Sequence, residues 1–270
     1  MSFLESQVLA PHHVLLHKSK FRISSLSALF RNFTGNAVLR GNVPSLEIGQ
    51  SGLSESEVFR VCRVLENTAV LRRGTVALEL GAGRGASTLQ LATCGLFSKV
   101  FAVEPEPDNF KELTQKVSHD GLADVVECVR YAAGAIDGLV NLHINRTDRL
   151  KSSIKRQKES DVALRVPLST VETMLTEARI TPDRVGLVWV DIEGYEAMAC
   201  LGLRHLMAIG VPLYIVFSAS EVQACQMESL LRLLASYYHR CVVFDGSSVH
   251  VAPISMVRVD KAGVRLLLVD

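Results

Sequence analysis

Two patterns of apolar residues alternate along this chain, one typical of strands and the other typical of helices. Short apolar runs have the length of buried strands, and the stretches between them place apolar residues every three or four positions, as one face of a helix requires. In chain order these segments are residues 75–80 (strand), 86 onward (helix), 99–103 (strand), 107–118 (helix) and 125–129 (strand). Residues 55–71 predict one further helix before them. Strands that alternate with helices indicate a parallel sheet with right-handed crossover connections.

The alternation stops at residues 145–165 and then resumes. This segment is polar and mixed in charge, with an excess of basic residues, and we interpret it as an inserted loop. The later predicted elements are helices at 169–178, 197–207 and 221–238 and strands at 185–190 and 213–217. The tail, residues 248–259 and 264–269, predicts a β-hairpin.

Composition favours one α/β domain with an N-terminal extension. A chain of 270 residues is short for two large domains, and 48% apolar residues suffice for a sizeable core. We therefore expect a domain over residues 55–270 and an extension over residues 1–54. Residues 11–42 contain basic and histidine side chains and no acidic one. We interpret this stretch as a solvated cover for the domain rather than as a contact for an anionic substrate.

Charge and cysteine content exclude several classes of protein. The net charge of +1 supplies no overall field for nucleic acid or a membrane, and neither is an expected partner. No apolar run approaches the roughly 18 residues of a membrane span, and the N-terminus lacks the pattern of a secretory signal. The six cysteines are scattered, with no Cys-x-x-Cys pair. We expect a soluble, cytoplasmic protein with reduced cysteines, and its oligomeric state stays open, a homodimer included.

A glycine-rich loop follows the first strand of the domain. Gly81, Gly83 and Gly85 stand between a predicted strand and a helix, where backbone N–H groups can receive a nucleotide-like cofactor. With Ala86, the loop resembles a dinucleotide fingerprint. With Glu79 it resembles an S-adenosylmethionine loop, because an acid there suits the amino-acid part of that cofactor and would repel a pyrophosphate. The loop alone leaves both cofactors open.

Acidic residues follow two other strands. Glu104 ends the next strand, where it can accept hydrogen bonds from ribose hydroxyls or act as a charge at a helix N-terminus. Asp191 and Glu193 follow the strand at 185–190, and Glu196 comes soon after. Acids there suit either a general base or a helix cap with its first turn. We predict Asp191 as the base, Glu193 as the second choice and Glu196 as structural, and without a dedicated third acid we predict no metal.

Five segments together resemble one known family. They are Leu78-Glu-Leu-Gly-Ala-Gly-Arg-Gly85, Val103-Glu-Pro-Glu-Pro-Asp-Asn-Phe110, Tyr131-Ala-Ala-Gly-Ala135, Val166-Pro-Leu-Ser-Thr-Val-Glu172 and Val190-Asp-Ile-Glu-Gly-Tyr-Glu-Ala197. Their order resembles the FkbM-type methyltransferases, S-adenosylmethionine-dependent enzymes of which most are assigned to O-methylation. The resemblance covers about residues 70–220, and the strand-end motif around Asp191 is its most specific part.

The resemblance implies a Rossmann-like class I methyltransferase fold, with a seven-stranded, mostly parallel α/β sheet and a C-terminal antiparallel hairpin. It also implies S-adenosylmethionine as the cofactor. The glycine loop and Glu79 would line the methionine part, Glu104 would hold the ribose, and Ala132 and Ala133 would lie near the adenine. The full set of implied cofactor residues is Glu79, Gly81, Ala82, Gly83, Gly85, Ser87, Glu104, Pro105, Ala132 and Ala133.

Two positions depart from the family pattern. Members often place a glutamate where this chain has Ser218, and often carry a lysine before the acid that corresponds to Asp191, where this chain has Val188-Trp-Val190. A base or metal role contributed by the strand before Ser218 is therefore not expected. The choice of substrate is expected to differ as well.

The sequence thus predicts a methyltransferase that O-methylates a hydroxyl of a small-molecule or carrier-bound metabolite, such as a natural product or a sugar. Two other classes stay open. One is an NAD(P)-dependent oxidoreductase, and the other is a non-catalytic cofactor-binding module. Binding of S-adenosylhomocysteine or of NADH distinguishes the methyltransferase from the oxidoreductase. Methylation of an acceptor distinguishes the methyltransferase from the non-catalytic module.

Overall fold

The computed structural model describes most of the predicted domain. The described residues are 56–68, 70–71, 74–156, 158–217, 224–246, 248–258 and 263–269. The predicted N-terminal extension, residues 1–54, and the departure at Ser218 lie outside them.

Helices and strands alternate from residue 57 onward. The helices are α1 Glu57–Asn67, α2 Ala86–Thr93, α3 Pro107–His119, α4 Val171–Glu177, α5 Glu196–Leu201, α6 Arg204–Ala208 and α7 Ala224–Ala235. The strands are β1 Thr75–Leu80, β2 Phe97–Val103, β3 Val126–Val129, β4 Ala132–Ala133, β5 Gly138–Ile144, β6 Val162–Ser169, β7 Val185–Val190, β8 Leu213–Phe217, β9 Arg240–Asp245, β10 Ser248–Pro253 and β11 Val264–Leu268. Single 3-10 turns span Arg149–Lys151, Pro182–Arg184 and Ile254–Met256.

The main sheet confirms the predicted Rossmann-like fold. Its strand order is β10-β9-β11-β8-β7-β1-β2-β3, and the five strands from β8 to β3 run parallel. All six residues of β1 and of β7 are buried, because helices cover both faces of the parallel part. Within the described residues the main sheet has eight strands, whereas the family resemblance implied seven.

The C-terminal antiparallel hairpin is present, but β9 and β10 form it. The sequence predicted that residues 248–259 would pair with residues 264–269. Instead β11 lies between β8 and β9 and pairs antiparallel with both. The short connection after Asp245 joins β9 directly to β10, and Gly246 takes a positive φ of 50° in it. The buried apolar run that forms β9 was not recognised as a strand in the sequence. β9 pairs with both of the strands that were expected to pair with each other, β10 and β11.

A second, three-stranded sheet contains part of the predicted insert. Its order is β4-β6-β5, with β5 and β6 antiparallel. The last residues of the predicted insert, 162–165, belong to β6. The rest of the insert connects β5 to β6 and includes the 3-10 turn Arg149–Lys151.

The helix predicted over residues 197–207 is divided into α5 and α6. Gly202 stands between them, and a Cβ atom there would lie 2.3 Å from the carbonyl oxygen of Gly134. This position requires glycine, because a side chain would prevent so close an approach of the two backbones. Among the described residues, no helix combines the length and the apolar character that a membrane crossing requires.

Candidate functional site

Three neighbouring strands end at the same place. β1 pairs in parallel with β2 on one side and with β7 on the other, with Leu80 opposite both Val103 and Val190. The segments that follow these three residues therefore meet at the carboxyl edge of the sheet, where ligands bind in open α/β sheets. They are the glycine loop, the segment beginning at Glu104 and the segment beginning at Asp191.

The glycine loop lies directly against the chain at the end of β2 and against the segment that follows β7. The backbone N–H groups of Gly81 and Ala82 donate to the carbonyl oxygen of Val103 at 2.9 and 3.0 Å, and Asp191 N–H donates to Leu80 at 3.0 Å. Gly81 has a φ of 90°, and a Cβ atom there would lie 2.1 Å from the carbonyl oxygen of Asp191. Position 81 therefore requires glycine, because the backbone carrying Asp191 fills the space of a side chain.

A cavity of about 380 Å³ lies over this edge. Its size is that of a cofactor or small-ligand site. The predicted site residues that line it are Gly81, Ala82, Gly83, Ser87, Glu104, Pro105, Asp191 and Glu193. The lining residues outside the predicted set are Arg84, Ala86, Glu106, Asn109, Leu142, Asp148, Arg149, Leu150, Lys151, Ser152 and Ile192, of which only Ala86 was singled out in the sequence, for the alternative dinucleotide fingerprint.

Glu79 lies behind the cavity wall. Its side chain is fully buried, and its two carboxylate oxygens accept hydrogen bonds from the hydroxyls of Ser87 and Thr88 in the first turn of α2. Burial raises the pKa of Glu79 to about 7, and these two hydrogen bonds oppose the rise. The structure gives Glu79 the role of fixing the start of α2 and the Ser87 side chain. Its predicted contact with a cofactor stays a prediction.

Glu104 lines the cavity and orders the two loops beside it. Its Oε2 accepts a hydrogen bond from Gly83 N–H at 2.8 Å, and its Oε1 accepts one from Glu106 N–H at 2.9 Å. Burial raises its pKa to about 7. The helix-terminus role considered for Glu104 belongs to Glu106, which is the N-cap of α3 and accepts from Asn109 N–H at 2.6 Å.

The 3-10 turn of the predicted insert closes one side of the cavity. Arg149 binds the buried carboxylate of Glu106 at 2.7 Å and that of Asp108 at 2.8 Å. The carbonyl oxygen of Arg149 accepts a hydrogen bond from the Asn109 side chain at 3.2 Å. Leu150 lies against the glycine loop, since a Cβ atom on Gly83 would be 2.9 Å from its Cδ2. The excess of basic residues in the insert was the only sequence signal for this contact.

Asp191 opens directly into the cavity. α5 begins at Glu196 with Tyr195 as its N-cap, so the helix-cap interpretation of Asp191 is wrong. The side chain is accessible from the cavity, but protein surrounds its other sides, and this desolvation raises its pKa to about 6. Glu193 and Glu57 raise the pKa further, and Arg265 lowers it. A carboxyl with this pKa is largely ionised at neutral pH and can accept a proton.

Glu196 has the structural place predicted for it. It lies in the first turn of α5, is buried, and accepts a hydrogen bond from Gly194 N–H at 3.0 Å. Burial raises its pKa to about 7. Trp189, two residues before Asp191, packs in the core with its ring centroid 3.9 Å from that of Tyr214, as expected.

Three further cofactor residues of the predicted set lie away from the cavity lining. Gly85 is the N-cap of α2 in a left-handed conformation, with Leu113 Cδ1 2.8 Å from a Cβ atom placed on it. Ala132 and Ala133 form β4 and are buried in contact with β6. Their proposed place near an adenine stays a prediction.

The cavity lining is predominantly acidic. The carboxylates are Glu104, Glu106, Asp148, Asp191 and Glu193, and the cationic side chains are Arg84, Arg149 and Lys151. This balance favours a ligand that carries positive charge. Among the described residues, no group of three or more histidine, cysteine or acidic side chains is arranged to hold a metal ion.

Solved structures with a similar fold include a methyltransferase FkbM from Methylobacillus flagellatus KT, at 17% identity and a TM-score of 0.48, over 74% of this chain and 45% of that one. The chain thus spans less than half of that protein. A precorrin-8w decarboxylase from Methanobacterium thermoautotrophicum is 14% identical, with a TM-score of 0.43, over 85% and 100% of the two chains.

A Streptococcus mutans protein solved in complex with SAH (S-adenosylhomocysteine) and described as a candidate methyltransferase is 10% identical, with a TM-score of 0.46, over 80% and 98%. At these identities the similarity concerns the fold alone. No curated protein matches the sequence of this chain.

The sequence itself matches the model of one protein family. The family is described as the methyltransferase FkbM domain, and the match covers residues 79–239, more than half of the chain. The matched range includes the glycine loop, Glu104, the turn over the cavity and Asp191. This chain belongs to the FkbM methyltransferase domain family.

Proposed function

We propose that the protein transfers a methyl group from S-adenosylmethionine to a hydroxyl oxygen of a small-molecule or carrier-bound acceptor. One observation carries the proposal. An acid-lined cavity lies at the carboxyl ends of β2, β1 and β7, and the carboxylate of Asp191 opens into it beside the glycine loop. Membership of the methyltransferase family favours this function over the NAD(P)-dependent oxidoreductase.

The chemistry of the lining suits this cofactor. S-adenosylmethionine supplies a methyl group bound to a positively charged sulfur, which attracts a nucleophile. The excess of carboxylates over cationic side chains in the cavity favours that positive charge and disfavours a pyrophosphate. The close approach at Gly81 and the left-handed Gly83 shape a loop of backbone without side-chain bulk. We expect this loop, Ser87 and Glu104 to hold the cofactor.

Asp191 is the residue that we expect to take the proton of the acceptor. An alcohol is a weak nucleophile, and a positioned base that removes its proton contributes typically about 10²–10⁴-fold to the rate. The carboxylate of Asp191 is accessible from the cavity, and its pKa of about 6 keeps it charged at neutral pH. Glu193 lies on the same segment, lines the same cavity and is the second choice.

The rest of the site aligns the reactants and excludes water. Methyl transfer is an in-line displacement, so much of its acceleration comes from holding the oxygen and the methyl carbon in line. The turn carrying Leu150 lies over the glycine loop and is fastened to the N-terminus of α3 through Arg149. We expect this arrangement to shield the cofactor from bulk solvent on that side.

Calorimetry with S-adenosylhomocysteine and with NADH tests the choice of cofactor. We expect S-adenosylhomocysteine to bind and NADH not to bind. The variant Glu104→Gln should weaken the affinity about tenfold, because it loses charge-assisted hydrogen bonds at the centre of the site. Glu127→Gln is the matched control on β3, outside the cavity lining, and should bind like the wild type. NADH binding in this cavity, or no binding of either ligand, would refute the proposal.

A further inference from the structure

The candidate base stands on a short segment without regular structure. We call residues 191–195, which join β7 to α5, the base segment. Its beginning is fixed to the sheet, because Asp191 N–H donates to the last residue of β1 at 3.0 Å. Its end is fixed to α5, where Gly194 N–H donates to the Glu196 side chain at 3.0 Å. Glu193 lies between these two points, so the direction of the acidic side chains depends on what holds the middle of the segment.

One side chain of the predicted insert binds the middle of the base segment. The hydroxyl of Ser153 donates a hydrogen bond to the carbonyl oxygen of Glu193 at 2.5 Å. The oxygen of the same hydroxyl accepts a hydrogen bond from Lys155 N–H at 3.1 Å, so both the donor and an acceptor site of Ser153 are used. Ser153 is 3% exposed. Because this contact is buried, removal of the hydroxyl would take a hydrogen bond from the Glu193 carbonyl that bulk water does not replace.

Ser153 is itself held by the second sheet. Its backbone forms an isolated antiparallel bridge with His143 of β5. The two residues exchange backbone hydrogen bonds in both directions, at 2.8 and 3.1 Å. The hydroxyl is therefore carried by a backbone that is already ordered, and its contact with Glu193 requires little further loss of conformational entropy.

Apolar packing joins the same two parts of the molecule. Leu142 belongs to the apolar cluster of the second sheet and also lines the cavity beside the glycine loop. Ile154, the residue after Ser153, packs against this cluster, and so does Tyr195, the last residue of the base segment. The second sheet thus contacts the base segment through both a hydrogen bond and apolar side chains.

The connection between β5 and β6 reaches two sides of the cavity. At Arg149 and Leu150 it contacts the start of α3 and the glycine loop, the side that we assign to the cofactor. At Ser153 it contacts the base segment, the side that we assign to the acceptor. Because different residues make the two contacts, single substitutions remove them one at a time.

We propose that Ser153 is a positioning residue for methyl transfer, which holds the base segment so that the carboxylate of Asp191 meets the hydroxyl of the acceptor. This inference rests on the proposed function, since Ser153 acts on the reaction through Asp191. Ser153 does not line the cavity, so its effect passes through the base segment. A displacement of about 1 Å at a reacting group can lower a rate about 100-fold, and one buried hydrogen bond behind the base therefore suffices to affect turnover.

A double-mutant cycle on the full chain tests the proposal, with labelled S-adenosylmethionine and an acceptor found by screening hydroxylated metabolites. Ser153→Ala should lower kcat about tenfold and leave the affinity for S-adenosylhomocysteine within about twofold of the wild type. In the Asp191→Asn background the same substitution should lower kcat less than about twofold, because a positioning residue has little effect once the group that it positions is gone. Ser153→Thr keeps the hydroxyl and should retain kcat within about threefold.

Ser160→Ala is the matched control, since Ser160 is an exposed serine of the same connection. It should have the kcat of its parent in both backgrounds. Unchanged kcat in Ser153→Ala, an equal loss with and without Asp191, or a tenfold loss in Ser153→Thr would overturn the proposal. Loss of S-adenosylhomocysteine affinity together with kcat in Ser153→Ala would also overturn it, since the role of Ser153 would then be a general structural one. A wild type that binds no S-adenosylhomocysteine and methylates no acceptor would refute the proposed function, and this inference with it.

Discussion

Two carboxylates at adjacent strand ends differ in their access to the cavity because their surroundings differ. Glu79 is sealed beneath α2 with Ser87 and Thr88 on its oxygens, whereas Asp191 faces the cavity. Both pKa values are raised by desolvation, to about 7 for Glu79 and to about 6 for Asp191. A sealed group supports its neighbours, and only a group open to the cavity can exchange a proton with an acceptor.

The variant Asp191→Asn tests the assignment of the base. We expect its affinity for S-adenosylhomocysteine to stay within about twofold, and its transfer of labelled methyl groups to an acceptor found by screening hydroxylated metabolites to fall about 100-fold or more. Asp183→Asn is the control, because Asp183 is exposed in the 3-10 turn at the opposite end of β7. Unchanged transfer in Asp191→Asn would remove this residue from the role.

At the scale of elements, a single 3-10 turn joins the connection between β5 and β6 to the N-terminus of α3. The side chain of Arg149 binds Glu106, whose side chain is 2% exposed, and the more exposed Asp108. The Glu106 carboxylate is desolvated whereas the Arg149 side chain is 41% exposed, so the contact is worth more than an ion pair on the surface and less than a fully buried one. Through Leu150 the same turn touches the glycine loop, so its position affects the cavity directly.

Arg149→Ala is expected to weaken S-adenosylhomocysteine binding about tenfold and to lower the free energy of unfolding by about 1–3 kcal/mol, because the buried carboxylate of Glu106 loses a partner that is itself partly exposed. Calorimetry and urea denaturation measure the two quantities. Arg146→Ala removes an exposed arginine from the same connection and should change neither. Equal affinity and equal stability in the two variants would show that the ion pairs of Arg149 do not hold the turn in place.

At the scale of the whole molecule, several buried acids make stability depend on pH. The pKa values of Glu79, Glu104 and Glu196 are each raised to about 7, chiefly by burial. Between the unfolded value, about 4.3, and 7, the folded protein keeps protons that the unfolded chain has released. The stability contributed by these protons is complete below the unfolded pKa and is lost as pH rises through 7, so the free energy of unfolding falls across that interval.

Glu79→Gln should flatten this fall. A rise of the size found for Glu79 corresponds to about 3 kcal/mol between pH 4 and pH 8, and a neutral side chain removes that part of the dependence. Urea denaturation at a series of pH values measures it. Glu112→Gln changes a half-exposed acid on α3 and should leave the slope as in the wild type. A Glu79→Gln profile parallel to that of the wild type would contradict the raised pKa of Glu79.

The sequence by itself determined the strands at the centre of the main sheet and the strand ends that carry the candidate site residues. β1, β7 and β8 have the predicted boundaries, because a short apolar run and the turn residues around it are local features that do not depend on the rest of the chain. The glycines after β1 and the acids after β2 and β7 were found for the same reason. The order of parallel strands then brings those ends to one edge of the sheet.

Only the tertiary structure decided which distant segments meet at the carboxyl edge of the main sheet. β11 pairs between β8 and β9 rather than with β10, the turn at Arg149–Lys151 lies over the glycine loop, and Asp191 stands outside the helix that follows it. Each outcome depends on competition among contacts far apart in the chain, and on burial that no periodicity encodes.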